Sequence, residues 1–73
     1  MVAGQTYRLC VPTTGIQIVA GKHATLTVPA GESVSITRTP NGALVECLWK
    51  TSRVLFFIVD IEERGKLIRI VSD

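Results

Sequence analysis

Few residues in this sequence carry side chains suited to chemistry. The candidate base is His23, the only histidine. It sits in or beside a Gly21-Lys22 turn with no nucleophile or orienting acid near it in sequence. A catalytic site needs several convergent groups, so His23 reads as a solvated turn residue. Cys10 and Cys47 are the only cysteines, with 36 residues between them. That spacing is neither a zinc motif nor a disulfide framework, and in a reducing compartment it reads as two free thiols in strands. A bridge between them would need the first and third barrel strands to be neighbours.

Asp60, Glu62 and Glu63 form the one acidic cluster. Hard-cation binding takes further oxygen ligands that the sequence does not place, so Asp60 reads as the N-cap of a short turn. No glycine-rich phosphate loop, paired-cysteine motif or H-E-x-x-H is present. The reading therefore leans away from an enzyme, with no cofactor and no metal.

The remaining candidate surface is aromatic and basic. Trp49 lies beside Lys50, and Arg53 and Arg38 come close to it if the strands fold into a barrel. Trp and Arg dominate interface hot spots, so these four are the candidate partner-binding residues. They are also the residues a nucleic-acid-binding barrel would use, by stacking bases in a basic groove. Against that, the chain has only one Trp, one Tyr and two Phe, and a net charge of +2. A dedicated nucleic-acid binder is usually far more basic.

The elements that would hold these residues are strands. The chain is rich in Val, Ile and Thr, and no long segment has helical spacing. Turn signals recur at Pro12, Gly15, Gly21, Pro29 with Gly31, Pro40-Asn41-Gly42 and Gly65. Strand-favouring residues between these turns predict strands over Thr6 to Val11, Ile16 to Val19, Ala24 to Val28, Ser33 to Arg38, Ala43 to Trp49, Val54 to Val59 and Lys66 to Val71, with the cleanest alternation in Ser33 to Arg38. Gly21-Lys22 reads as a two-residue hairpin turn, and Asn41-Gly42 as the strongest one. Asp60 to Gly65 has length for one 3₁₀ turn.

Strand, long loop, three strands joined by tight turns, a 3₁₀ turn and a last strand is the order of a five-stranded SH3-like barrel. The expectation is therefore one small all-β domain over residues 1–73. That inference rests on connectivity and carries no function with it.

Seventy-three residues, 47% of them hydrophobic, leave more apolar side chains than so small a core can take. No run reaches the length of a membrane span, and the N-terminus Met-Val-Ala-Gly-Gln-Thr lacks the basic start and apolar stretch of a signal peptide. The cytoplasm is the default expectation. The surplus concentrates in Val54-Leu55-Phe56-Phe57-Ile58-Val59, where alternation fails and both faces are apolar. A strand buried on one face should be polar at every second position. Leu44, Leu48, Phe56, Ile58 and Leu67 are accordingly the candidate self-association surface, and the simplest partner is another copy, as a homodimer or higher oligomer.

Thr6-Tyr7-Arg8-Leu9, Gly15-Ile16-Gln17-Ile18, Gly21-Lys22, Thr27-Val28-Pro29-Ala30-Gly31, Trp49, and Asp60 with Glu63-Arg64-Gly65 together resemble a group of short, uncharacterised bacterial SH3-like β-barrel proteins. The resemblance spans nearly the whole chain. Its motifs are turn glycines, turn prolines and alternating strands, so it implies a fold, no activity and no functional residue. A plasmid-type dihydrofolate reductase is similar in topology only, as a short barrel that works through a shared central pore. That family's pore motif is absent here.

The sequence thus points to a non-enzymatic interaction module, homo-oligomeric and binding a protein or peptide. A nucleic-acid-binding barrel and an enzyme with a site assembled between subunits are the alternatives.

Overall fold

Ser33 to Ile36 shows how the chain builds its sheet. Val34 and Ile36 are buried, whereas Ser33 and Ser35 lie on the other side. The same two-residue period recurs through a computed structural model describing residues 1–40 and 42–69. The elements are β1 (Thr6–Leu9), β2 (Thr13–Val19), β3 (Lys22–Val28), β4 (Ser33–Ile36), β5 (Leu44–Trp49), β6 (Ser52–Phe57), α1 (Ile58–Arg64) and β7 (Gly65–Arg69). All pairings are antiparallel, in one seven-stranded sheet of order β3-β2-β6-β5-β4-β1-β7.

The fold is all-β with one short helix, and it differs from the expected arrangement in definite ways. The sheet has seven strands where a five-stranded barrel is expected, because the predicted hairpin between β1 and β4 joins it through the pairing of β2 with β6. Its turn is Ala20-Gly21, with φ of +52° and +75°, and Val19 opposite Lys22; the predicted Gly21-Lys22 turn is off by one residue. β2 also starts earlier than expected, at Thr13. There Thr13 is fully buried and its hydroxyl donates to the Val11 carbonyl at 3.0 Å, which satisfies it.

The predicted Asn41-Gly42 turn falls partly outside the described residues. β4 stops at Ile36, which pairs with Cys47, and the connection runs from Thr37 to Ala43. Gly42 takes a positive φ there; Asn41 lies outside the described residues. The predicted last strand ends at Arg69 in the described chain, and Ile70 and Val71 lie outside it.

The 3₁₀ turn is in fact an α-helix that begins two residues earlier than predicted. Phe57 occupies its N-cap position with no side-chain cap, and Asp60 lies in the first turn, so Asp60 is not the cap. A carboxylate there still meets the positive end of the helix. At the other end the Gly65 N–H bonds the Ile61 carbonyl, and the Cys10 N–H bonds the Arg64 carbonyl at 2.7 Å. A Cβ on Gly65 would come within 2.6 Å of that Ile61 oxygen, so only glycine closes this helix without displacement.

This helix resolves the apolar run. Val54 and Phe56 point inward at strand spacing; the chain then turns helical, and Ile58 and Ile61 point inward at helical spacing. Phe56 is 1% exposed and belongs to the core with Leu9, Ile36 and Ile61. It is therefore removed from the candidate self-association surface. Ile58 packs against the same core and is removed with it.

A mixed groove on the outer face of β2, β6 and β5

The outer face follows from register. Leu44 pairs with Phe57, Glu46 with Leu55 and Leu48 with Arg53, while the residues between them, Val45, Cys47, Val54 and Phe56, are buried. Directly paired residues share a face. β2 joins this face through Ile16, which pairs with Leu55, and Ile18 follows two residues on. Phe57 is 48%, Leu48 40% and Ile18 55% exposed.

Ile16, Ile18 and Leu55 form apolar walls, and Glu46 and Arg53 add one charge of each sign. Together they line an open groove of about 250 Å³. Glu46 is held in place by Thr37, whose hydroxyl lies 2.7 Å from Oε1 and 3.1 Å from the Glu46 carbonyl. Arg53 is exposed, so its guanidinium is available to a carboxylate. Gly15 lets β2 lie this close to β6. A Cβ there would collide with Val54 Cγ1 and stand 2.8 Å from Phe56 Cε1.

The two sets of candidate residues are redistributed by this geometry. Leu44 and Leu48 do lie on the outer face, in line with Phe57 and Arg53. Leu67 does not join them: it pairs with Tyr7, which pairs with buried Val34, so it shares the inward side of an outlying strand. Arg53 leaves the aromatic-basic set for the groove, since Trp49 lies on the side of Cys47 and Val45. Arg38 lies beyond Ile36, toward the opposite end of β5 from Trp49.

Trp49 keeps only Lys50. The ammonium sits 5.0 Å from the ring centroid, and the indole N–H donates to Glu32 Oε1 at 3.1 Å. Lys50 opens the two-residue β5–β6 turn, where it takes a φ of +56°. The ring also packs against the core. Its polar edge is thus engaged and a cation covers one face, which leaves little of it for stacking on a base.

Both thiols are free. Cys10 is exposed, just past the end of β1 rather than within a strand. Cys47 is buried in β5, and burial, with the charge of Glu46 adding to it, raises its pKa from 9.0 to about 12. His23 lies exposed in β3, opposite Ile18. Among the described residues no group of three or more His, Cys, Asp or Glu is placed to hold a metal ion. No helix among them is long and apolar enough to cross a membrane.

The groove escaped the sequence reading because it depends on the Ile16–Leu55 pairing between segments far apart in the chain. The available signal was the Arg53-Leu55 alternation beside Glu46, which the apolar run obscured. No protein-family model, curated protein or solved structure matches this chain.

Proposed function

We propose that this protein is a non-enzymatic, self-associating interaction module on a small SH3-like barrel, and that its groove receives a segment of a protein or peptide. The barrel reading draws on the order β7-β1-β4-β5-β6, five strands with the β2–β3 hairpin inserted after the first. The docking reading rests on the outer-face groove, where Ile16, Ile18 and Leu55 meet Glu46 and Arg53.

The chemistry of the walls describes the segment. An apolar side chain seats against Ile16, Ile18 and Leu55, and a neighbouring carboxylate reaches Arg53. Burying the apolar group supplies affinity, at about 25 cal/mol per Å² before the costs of ordering. The carboxylate supplies orientation through a charge-assisted contact. The net charge of +2 favours an acidic segment at long range.

Selection of a random peptide library on the immobilised protein tests this. The expected result is enrichment of sequences with a large apolar residue next to Asp or Glu, with binding lost in Leu55→Asp and weakened in Arg53→Glu. Enriched peptides that bind both variants as well as the wild type, or no enrichment, would contradict the reading.

A further inference from the structure

Among the described residues β3 ends the sheet: β2 covers one of its edges and no described strand pairs with the other. The phase of its backbone groups follows from the hairpin. In a two-residue turn the closing pair, here Val19 and Lys22, is hydrogen-bonded, and bonded and non-bonded pairs alternate from there. Lys22, Ala24, Leu26 and Val28 therefore bond to β2. The amide and carbonyl groups of His23, Thr25 and Thr27 point away from the sheet.

Nothing in β3 blocks that edge. It has no proline and no bulge, and its single lysine stands at the tip. The tip of the hairpin also has little support from the rest of the sheet. Only Ile16 and Gln17 of β2 pair with β6, and Ile18 to Thr25 are all exposed, with Ile18 on the outer face and Val19 on the other. A two-stranded ribbon without further support is marginal in water.

We infer that β3 pairs antiparallel with β3 of a second copy, about a two-fold axis at Thr25. In this register Thr25 lies opposite the partner's Thr25, His23 opposite the partner's Thr27, and Ala24 opposite the partner's Leu26. Every outward amide and carbonyl of His23, Thr25 and Thr27 then finds a mate. No like charges face each other, because Lys22 and His23 fall against the partner's Val28 and Thr27. Threonine pairs are favourable across strands. Each unsupported tip is laid along the base of the other hairpin, and the two-fold contact closes at a dimer rather than growing into a fibre.

The dimer follows from the edge alone. The two grooves, each centred on β6, come to lie on one face of a continuous sheet, about five strand spacings or roughly 24 Å apart, so a partner with two docking segments gains avidity. Only that last point rests on the functional reading above.

A seam of one strand pair belongs to the small, transient class of interfaces, so the dimer is a weak one that forms at high protein concentration. Sedimentation velocity of the wild type and two variants tests it. Thr25→Pro removes an outward N–H while leaving the bonds to β2 intact, and Thr25→Lys sets two ammonium groups against each other on the axis. The expected result is a concentration-dependent dimer for the wild type and monomers for both variants, with unchanged far-UV circular dichroism. If Thr25→Pro disrupts folding, Thr25→Lys decides. In a Cys10→Ser background, Thr25→Cys is expected to oxidise to a disulfide-linked dimer, since opposed Cα atoms about 5.5 Å apart fall within bridging range. A wild type that stays monomeric to on the order of 1 mM, or a dimer that survives Thr25→Lys, overturns the inference. Leu55→Asp separates the two readings, since it removes peptide binding and leaves the β3 dimer intact.

Discussion

Trp49 donates its indole N–H to Glu32 Oε1 at 3.1 Å, which ties the end of β5 to the turn that follows β3. The same turn is anchored to β1, because Leu9 N–H bonds the Glu32 carbonyl at 2.9 Å and Gly31 N–H bonds the Leu9 carbonyl at 2.7 Å. Trp49 is therefore a joint between parts of the fold before it is a surface for anything else. Glu32→Ala leaves a half-buried N–H without its charged acceptor, at a cost of about 1–2 kcal/mol. Chemical denaturation followed by the fluorescence of the single tryptophan checks this. Loss of stability with an altered native emission spectrum is expected, and an unchanged midpoint would contradict it.

Gly15 marks the close approach of β2 to β6, with Phe56 Cε1 2.8 Å from where a Cβ would stand. Gly15→Ala forces the hairpin off β6 or Phe56 off its position, a strain of about 1–3 kcal/mol. The expected outcome is a lower denaturation midpoint together with weaker peptide binding, since Ile16 and Ile18 move with the hairpin. In Ala20→Gly the hairpin should instead tighten.

That second substitution acts on the turn itself. Ala20 adopts φ +52° beside Gly21 at +75°, a turn in which asparagine or glycine fits better than alanine. Relief of the left-handed conformation outweighs the added freedom of the unfolded chain, so Ala20→Gly and Ala20→Asn are each expected to stabilise by roughly 0.5–1 kcal/mol. Thermal melts at fixed protein concentration would show it. A loss of stability in both variants would mean that the turn is formed differently.

The two thiols are expected to separate cleanly. Cys10 is exposed and Cys47 buried, so a thiol reagent should modify one residue at once and the second only on unfolding. The raised pKa of Cys47 also makes stability depend on pH. Between 9.0 and about 12 the unfolded thiol has lost its proton and the folded one has kept it. The contribution is complete below pH 9.0 and is lost as pH rises toward 12. Cys47→Ala should flatten the decline in stability over that interval, read from denaturation midpoints. An equal decline in both proteins would remove Cys47 as its cause.

Local chemistry made much of the fold legible. Ser33 to Ile36 alternates as a strand should, and Gly21, Gly31 and Gly42 take the positive φ that their turns suggested. What stayed hidden depended on distant partners. The run from Val54 to Val59 looked like a strand apolar on both faces because nothing local marks the change from strand to helix after Phe57. Read as one continuous strand, the run puts Phe56 and Ile58 outside a core that they help fill. Trp49 and Arg53 are close in sequence, but the two-residue β5–β6 turn sends them to opposite faces. The groove was least visible of all, since Ile16 meets Leu55 only through sheet pairing.

We propose the outer face of β2, β6 and β5 as the place where this protein meets a partner. Amide chemical-shift mapping during titration with a selected apolar-acidic peptide tests it most directly. The largest changes are expected on Ile16, Ile18, Glu46, Arg53 and Leu55, and none are expected in Leu55→Asp. Changes centred on Trp49, Lys50 and Glu32, with the groove residues unmoved, would contradict it.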